Sequence, residues 1–293
     1  MHHNPQFSWK CDQMSYSIVE KRDMVHQVHL MKVLAPDVAR AAKPGQFVII
    51  RIDEQSERIP LTIADCNVTD GSVTIIFQEM GKTTKQLATL KGGEELQDFV
   101  GPLGTPSEID KLGTVVLVGG GVGVAPSYPQ AKAYKEAGNK VITIIGARSE
   151  NLLILEEEMR AVSDELIVCT DDGTKGHHGF VTDVLQKLLQ SGEHVDRVVA
   201  IGPPIMMRAV AGVTKPFGTQ TIVSLNPIMI DGTGMCGGCR VSVDGKTKFA
   251  CVDGPEFDAH KVDFNLLMNR LAVYRDEEGI SMKKHECTCG GGQ

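Results

Sequence analysis

The sequence predicts an α/β plus β protein with three parts: a small antiparallel β-barrel, a doubly wound parallel sheet, and a subdomain organised by a cysteine loop. Three observations carry that reading. Short alternating strands and turns run from Tyr16 to about Pro106. From Leu112, buried strands alternate with helices, and the strand ends are marked by glycine, acidic or basic residues. Finally, Cys236, Cys239 and Cys251 lie in a glycine-rich stretch, DGTGMCGGCRVSVDGKTKFAC.

Composition bounds the alternatives. A chain of 293 residues predicts about two domains. An apolar fraction of 42% and an aromatic fraction of 5% suit a soluble globular core. The net charge of -7, with no long Lys/Arg run, argues against a nucleic-acid partner. No run of about eighteen apolar residues exists, so no membrane partner or span is expected. The start, MHHNPQFSWKCDQ, has no apolar signal region, which predicts a cytoplasmic protein. Eight cysteines in such a chain point to metal or redox chemistry rather than a disulfide framework.

The expected divisions follow the pattern changes. Residues 1–14 read as a disordered leader and 15–108 as the barrel. Residues 109–225 read as the α/β domain, 226–275 as the cluster subdomain with a final helix, and 276–293 as a mobile tail. Within the barrel, Arg58-Ile-Pro60-Leu61-Thr62 sets a cation at a strand edge with a hydroxyl four residues on, a pair that can hold phosphate and meet a ring nitrogen. Gly81-Lys82-Thr83-Thr84 opens a helix whose free N–H groups and dipole suit phosphate. Val100 to Pro106 is a Pro/Gly-rich junction.

In the α/β domain the strand ends carry Gly119 to Gly123, Gly146-Ala147-Arg148, Asp171-Asp172-Gly173 and Gly202-Pro203-Pro204. Ligands of such sheets bind at the carboxyl ends of strands. Gly120, Gly121, Val122 and Gly123 let backbone approach a pyrophosphate, although Ala125-Pro126 departs from G-x-G-x-x-G. The stretch TIVSLNPIMIDGTGM reads as a link to the cysteine loop.

The cysteine loop is the most specific signal. Two thiolates three residues apart can reach one metal centre, and a plant-type [2Fe–2S] site needs a further ligand five positions earlier. Asp231 occupies that position, so a carboxylate would replace one thiolate. Asp231-Gly232 also reads simply as a turn. Zinc, a disulfide and thioredoxin-like chemistry are the alternatives; zinc wants four N or S ligands and no His is close in sequence. After the close pair, RVSVDGK alternates into an Asp244-Gly245 turn, as a hairpin does. Cys287 and Cys289 could be ligands or redox thiols, whereas Cys11, Cys66 and Cys169 are isolated.

In combination, RIPLT at Arg58–Thr62, GGGVGVAP at Gly119–Pro126, GPPIMM at Gly202–Met207 and DGTGMCGGCR at Asp231–Arg240 resemble the ferredoxin–NADP reductase superfamily. More closely they resemble its electron-transfer subunits that carry a [2Fe–2S] cluster, over about residues 16 to 275. Two relatives compete: the electron-transfer subunit of dihydroorotate dehydrogenase, with four cysteine ligands, and the small subunit of NADH-dependent reduced ferredoxin:NADP+ oxidoreductase (also a sulfide dehydrogenase subunit), with an aspartate in first place. Asp231 favours the second.

The resemblance implies FAD in the barrel cleft, with Arg58 at its phosphates, Pro60, Leu61 and Thr62 along the isoalloxazine, and Gly81, Lys82, Thr83 and Thr84 at the pyrophosphate. Pro60 stands where an aromatic residue usually covers the flavin. NAD(H) would lie over Gly120–Gly123, Arg148, Asp171, Asp172, Gly202 and Pro203. Metal ligands would be Asp231, Cys236, Cys239 and Cys251. The implied reaction is hydride exchange between NADH and flavin, then single-electron passage through the cluster, with no catalytic acid or base in the chain. The implied partner is a larger FAD/[4Fe–4S] subunit in a heterodimer, reaching NADP(H) and ferredoxin, with electron bifurcation a property of the assembly. Dihydroorotate oxidation, a zinc-stabilised nucleotide-binding module and a stand-alone ferredoxin reductase are the competing expectations.

Overall fold

The computed structural model describes residues 15–289. The expected leader, with Cys11, lies outside them.

Seven antiparallel strands form the first sheet: β1 (Tyr16–Val25), β2 (Val28–Leu34), β3 (Phe47–Arg51), β4 (Ile59–Asn67), β5 (Ser72–Gln78), β6 (Glu95–Leu96) and β7 (Asp98–Leu103), in the order β6-β1-β2-β5-β4-β3-β7. The two edge strands, β6 and β7, are consecutive in the chain, so the sheet curls into a nearly closed barrel. Gln97 between them donates to the carbonyls of Arg51 and Ile52. Helices α1 (Pro36–Ala41) and α2 (Lys82–Thr89) add Val38, Ala39 and Leu87 to its core, which Met31, Val33, Ile75, Phe77 and Leu96 fill.

The second sheet contains β8 (Thr114–Gly120), β9 (Lys140–Ala147), β10 (Glu165–Thr170), β11 (His177–His178), β12 (Arg197–Ile201) and β13 (Gln220–Ser224), all parallel, and is completed by β16 (Glu256–Asp258), antiparallel to β13. The strand order is β11-β10-β9-β8-β12-β13-β16. Helices α3 (Val124–Glu136), α4 (Glu156–Val162), α5 (Val181–Gln190) and α6 (Pro204–Thr214) connect the strands. Near-continuous runs of Val, Ile and Leu in β8, β9 and β12 are what a sheet buried on both faces requires. Among the described residues no helix is long and apolar enough to cross a membrane.

Two expectations are corrected. The stretch read as a link to the cysteine loop begins with a strand: Gln220–Ser224 is β13, paired with β12 from Arg197↔Gln220 to Ala200↔Val223. Five residues followed by a proline-containing loop gave too little period to separate strand from linker. Of the segment expected as a mobile tail, the described residues form helix α9 (Arg275–Cys289), lying against α2. Its sequence has only Ile280 and Met282 as large apolar residues and offers no apolar stripe to read. Asp276, Glu277 and Glu278 in its first turn suit the helix dipole. Cys287 and Cys289 fall on this helix, away from the cysteine loop in the chain.

The remaining elements are the hairpin β14 (Arg240–Val243) and β15 (Lys246–Phe249), helix α7 (Ala250–Asp253) and helix α8 (Phe264–Leu271). Asp244 and Gly245 both take positive φ, as a two-residue hairpin turn needs. This subdomain is not a separate body. Its Cys239, Val241 and Cys251 share one buried core with Phe47 and Ile49 of the barrel and Val223 of the second sheet. Glu256 pins the junction: it accepts from Ser107 Oγ at 2.6 Å, in the linker between the sheets, and from Gln130 Nε2 of α3 at 2.7 Å. Desolvation there holds its carboxyl above the ordinary value.

Candidate functional site

The cysteine loop is shaped by glycines with positive φ. Gly232, Gly234 and Gly237 at +74°, +85° and +67° turn the chain three times between Asp231 and Cys239. A Cβ on Gly232 would come within 2.8 Å of Ile49 Cγ1 and Leu103 Cδ1, so the loop presses directly on strands β3 and β7. Hairpin register brings the distant cysteine back. Arg240 pairs with Phe249, and Ala250 N–H donates to the Cys239 carbonyl at 3.1 Å. Cys251, in the next turn, therefore meets Cys239. Arg270 of α8 donates to the Gly238 carbonyl and braces the loop from behind.

The four expected donors are brought together as two pairs. Cys236 Sγ lies 2.7 Å from Asp231 Oδ1, and Cys239 Sγ lies 3.1 Å from Cys251 Sγ. The first pair is at the surface and the second is buried. Among the described residues no three His, Cys, Asp or Glu side chains converge as ligands of a single ion would. Two pairs suit a dinuclear cluster with two protein ligands per iron better than one tetrahedral zinc. All three cysteines are free thiols, so the donor set is chemically available.

Asp231 is held in place by groups that sequence reading missed. It accepts from the Cys236 thiol, from Thr233 Oγ1 at 2.6 Å and from Met235 N–H at 3.1 Å. Those bonds, the Cys236 contact first, keep its carboxyl well below the ordinary carboxylate range. Thr233, two residues on, is the usual sequence sign of such a local bond. Cys251 behaves oppositely: burial, then the neighbouring Cys239, push its thiol up to about 12. Cluster loading must release that proton.

The barrel residues lie one strand away. β4 pairs with β3 from Phe47↔Thr62 to Ile50↔Ile59, so Pro60, Leu61 and Thr62 flank the strand on which Gly232 rests. Arg58 is half exposed and sits 3.7 Å from Asp98 Oδ2, which Arg51 Nε approaches to 2.6 Å. Arg58 is thus loosely tied and able to reach an anion. Gly81 is the N-cap of α2, and Thr84 Oγ1 accepts from the N–H groups of Met80 and Gly81 at 2.9 and 3.0 Å. The cap therefore comes from inside the helix. A Cβ on Gly81 would meet nothing within 4 Å, so this helix start is open to a ligand. Lys82 follows it, and the Thr83 hydroxyl is turned inward, donating to Glu57.

On the second sheet, parallel pairing lines the marked strand ends along one edge. Gly120 pairs with Gly146, Ala147 with Thr170, and Gly119 with Ile201. Gly121 takes φ +56°, with nothing within 4 Å of a Cβ placed there. Gly123 has a different reason: its Cβ would lie 2.3 Å from the Ile201 carbonyl oxygen, where α3 starts against β12. The edge thus offers bare backbone and a helix N-terminus, as a pyrophosphate needs. Arg148 follows β9, and Asp171 and Asp172 follow β10. Asp172 Oδ1 accepts from Thr174 Oγ1 and N–H, which closes its loop and holds its pKa below the ordinary carboxylate value. Gly202 and Pro203 separate β12 from α6. The isolated Cys66 and Cys169 thiols are both pushed up to about 11 by burial, which makes them poor nucleophiles.

Known proteins share these features. The iron–sulfur cluster binding domain of dihydroorotate dehydrogenase B matches residues 226–263, and the oxidoreductase NAD-binding domain matches residues 117–212. A Thermotoga maritima protein, a homolog of the dihydroorotate dehydrogenase B (NAD(+)) electron transfer subunit, is 49% identical over 93% of this chain and 96% of its own. The electron transfer subunit of that enzyme from Fusobacterium nucleatum is 34% identical over 84% of this chain and 97% of its own. Among solved structures, a chain of the NADH-dependent reduced ferredoxin-NADP oxidoreductase, studied for flavin-based electron bifurcation, superposes with a TM-score of 0.88. It is 48% identical and covers 92% of this chain and 98% of that one.

Proposed function

The chain belongs to the family of dihydroorotate dehydrogenase B electron transfer subunits and their homologues, and from that premise we propose that it is the smaller subunit of an NADH-dependent reduced ferredoxin–NADP oxidoreductase. It is an oxidoreductase subunit for FAD, NAD(H) and an iron–sulfur cluster. Two observations favour the ferredoxin–NADP assembly over dihydroorotate oxidation. Identity is 48% to that structure, against 34% to the Fusobacterium dihydroorotate dehydrogenase subunit. Asp231 also stands where the resemblance gives dihydroorotate dehydrogenase subunits a cysteine.

The observation that carries the reading is adjacency. The donor loop rests on β3, and β3 pairs with β4, which bears Leu61 and Thr62. Helix α3, which starts at the nucleotide edge, packs against the same β4. The paired strands β3 and β4 thus link all three proposed sites.

When bound, NAD(H), FAD and a [2Fe–2S] cluster would supply hydride and single-electron chemistry. The chain's work is placement. Gly121 and the α3 N-terminus would hold the dinucleotide pyrophosphate, with Arg148, Asp171 and Asp172 along its adenosine half. Arg58, Gly81, Lys82 and the α2 N–H groups would hold the flavin phosphates, and Thr62 would lie at the ring. Asp231 and Cys236 would hold one iron, and Cys239 and Cys251 the other.

The outer donor pair is rimmed by exposed apolar side chains: Ile230 at 52%, Met235 at 89% and Val252 at 47%. Such a rim around a redox edge suits a protein partner. We assign it to a larger FAD/[4Fe–4S] subunit in a heterodimer, through which electrons reach NADP(H) and ferredoxin. The free thiols fit a cytoplasmic setting.

An anaerobic visible and EPR spectrum of the chain co-expressed with its larger subunit, before and after NADH, tests the reading. Bleaching of a flavin band with a rhombic reduced [2Fe–2S] signal is expected. A colourless, zinc-containing protein would overturn it. Dihydroorotate-dependent reduction of the same preparation would give the assignment to the other branch of the family.

A further inference from the structure

The strand order of the parallel sheet reverses between β8 and β12. From β8 the chain builds outward through β9 and β10, then returns to place β12 and β13 on the other side. A doubly wound sheet binds its ligand in the crevice outside the carboxyl ends at that reversal. Here the walls of the crevice are Gly120 at the end of β8 and Gly202 just after β12. Two facing glycines leave a slot with no side chain of its own.

That slot is filled from within the chain. A Cβ on Gly120 would lie 2.3 Å from Met206 Sδ, and one on Gly202 would lie 2.7 Å from Met206 Cε. Met206 belongs to the first turn of α6, where its N–H donates to the Pro203 carbonyl at 2.9 Å. Its neighbour Met207 is fully buried in the core, whereas Met206 is half-buried. Consecutive methionines therefore do different work: one packs, and the other lies in the crevice.

On the nucleotide reading above, the adenosine half lies towards β9 and β10 and the pyrophosphate at Gly121. The nicotinamide then extends the other way, into the slot between Gly120 and Gly202. We infer that Met206 is the displaceable wall of the nicotinamide subsite: its thioether fills the slot when the ring is absent and swings out to pack on the ring when it binds. Methionine suits the task, because three unbranched torsions let it move and sulfur contacts aromatic rings favourably. A branched side chain of similar size would hold its place. Ile205, the adjacent exposed residue, lies outside the slot and serves as the control.

The inference rests on NAD(H) binding at this edge, and one pair of probes separates the two. NAD+ carries the nicotinamide, whereas ADP-ribose carries the rest of the molecule without it. Binding of both to the FAD-loaded protein is measured by difference spectroscopy and calorimetry for wild type, Met206→Ala, Met206→Ile and Ile205→Ala. Met206→Ala should tighten NAD+ about fivefold, and Met206→Ile should weaken it about tenfold, with ADP-ribose unchanged in both. Ile205→Ala should leave both ligands unchanged. Equal changes for NAD+ and ADP-ribose, or no change for either in both Met206 variants, would overturn the inference while leaving the nucleotide site in place. A wild-type protein that binds neither ligand would overturn the nucleotide reading and the subsite with it.

Discussion

The two halves of the donor set are built from the same motif yet sit in different physical worlds. Cys239 and Cys251 are 1% and 2% exposed, locked by hairpin register into the core shared by all three parts of the molecule. Asp231 and Cys236 lie at the surface, on backbone turned by three glycines and held by Thr233 and Met235 N–H. The inner pair is therefore part of the fold, and the outer pair is carried by it. On the proposed reading, a partner would reach only the outer pair, and it is this pair that would depart from all-cysteine ligation. A site open to change at one half and fixed at the other can tune its potential without risking its core.

The largest expected effect breaks the inner half. Cys251→Ser should abolish the cluster and also lower the melting temperature of the metal-free protein by about 4–8 °C, because a hydroxyl is left in apolar surroundings. Cys236→Ser should abolish or destabilise the cluster equally, yet shift the metal-free melting temperature by no more than about 2 °C. Calorimetry of both metal-free variants beside iron analysis checks the contrast; equal melting shifts would remove the distinction between the halves.

Asp231→Cys sharpens the comparison. It should keep the cluster and lower its midpoint potential, since a thiolate donates more charge to iron than a carboxylate does. Anaerobic EPR titration reads this, and an unchanged potential would argue that Asp231 is only a turn residue. The matching change at the other end of the electron path is Thr84→Ala. It removes the acceptor for Met80 and Gly81 N–H, and should weaken FAD binding several-fold while leaving iron content untouched.

The smallest effect concerns Glu256, whose strand β16 anchors the segment that follows Cys251. Its carboxyl is raised above the ordinary 4.5, by desolvation first. Folded protein then holds the proton more tightly than the unfolded chain, so stability is lost as pH rises from about 4.5 through the folded value. Glu256→Gln should flatten that slope, seen as a melting temperature that gains on wild type between pH 4.5 and neutrality. A parallel pair of pH profiles would show that the carboxyl does not titrate with folding.

Much of this molecule was legible because its signals are local. Alternation gave the barrel strands, and buried runs followed by glycine gave β8, β9, β10 and β12. The Asp244-Gly245 pair gave the hairpin, and the spacing of Asp231, Cys236, Cys239 and Cys251 named the four side chains that the fold brings together in two pairs. What escaped had no local period or depended on a remote neighbour. β13 was too short to declare itself, and the sequence of α9 carries no apolar stripe. Pairing of Asp231 with Cys236 and of Cys239 with Cys251 needs the hairpin to fold back, and the pressure of Gly232 on Ile49 joins residues far apart in the chain. Met206 reads as one more helix methionine until the sheet order puts Gly120 opposite Gly202. The sequence by itself determined which chemistry the chain can hold, because ligand type and spacing are written residue by residue. Tertiary structure alone decided which donor is buried, which is open to a partner and which side chain fills the crevice, because burial is a property of what packs alongside and not of the residue itself.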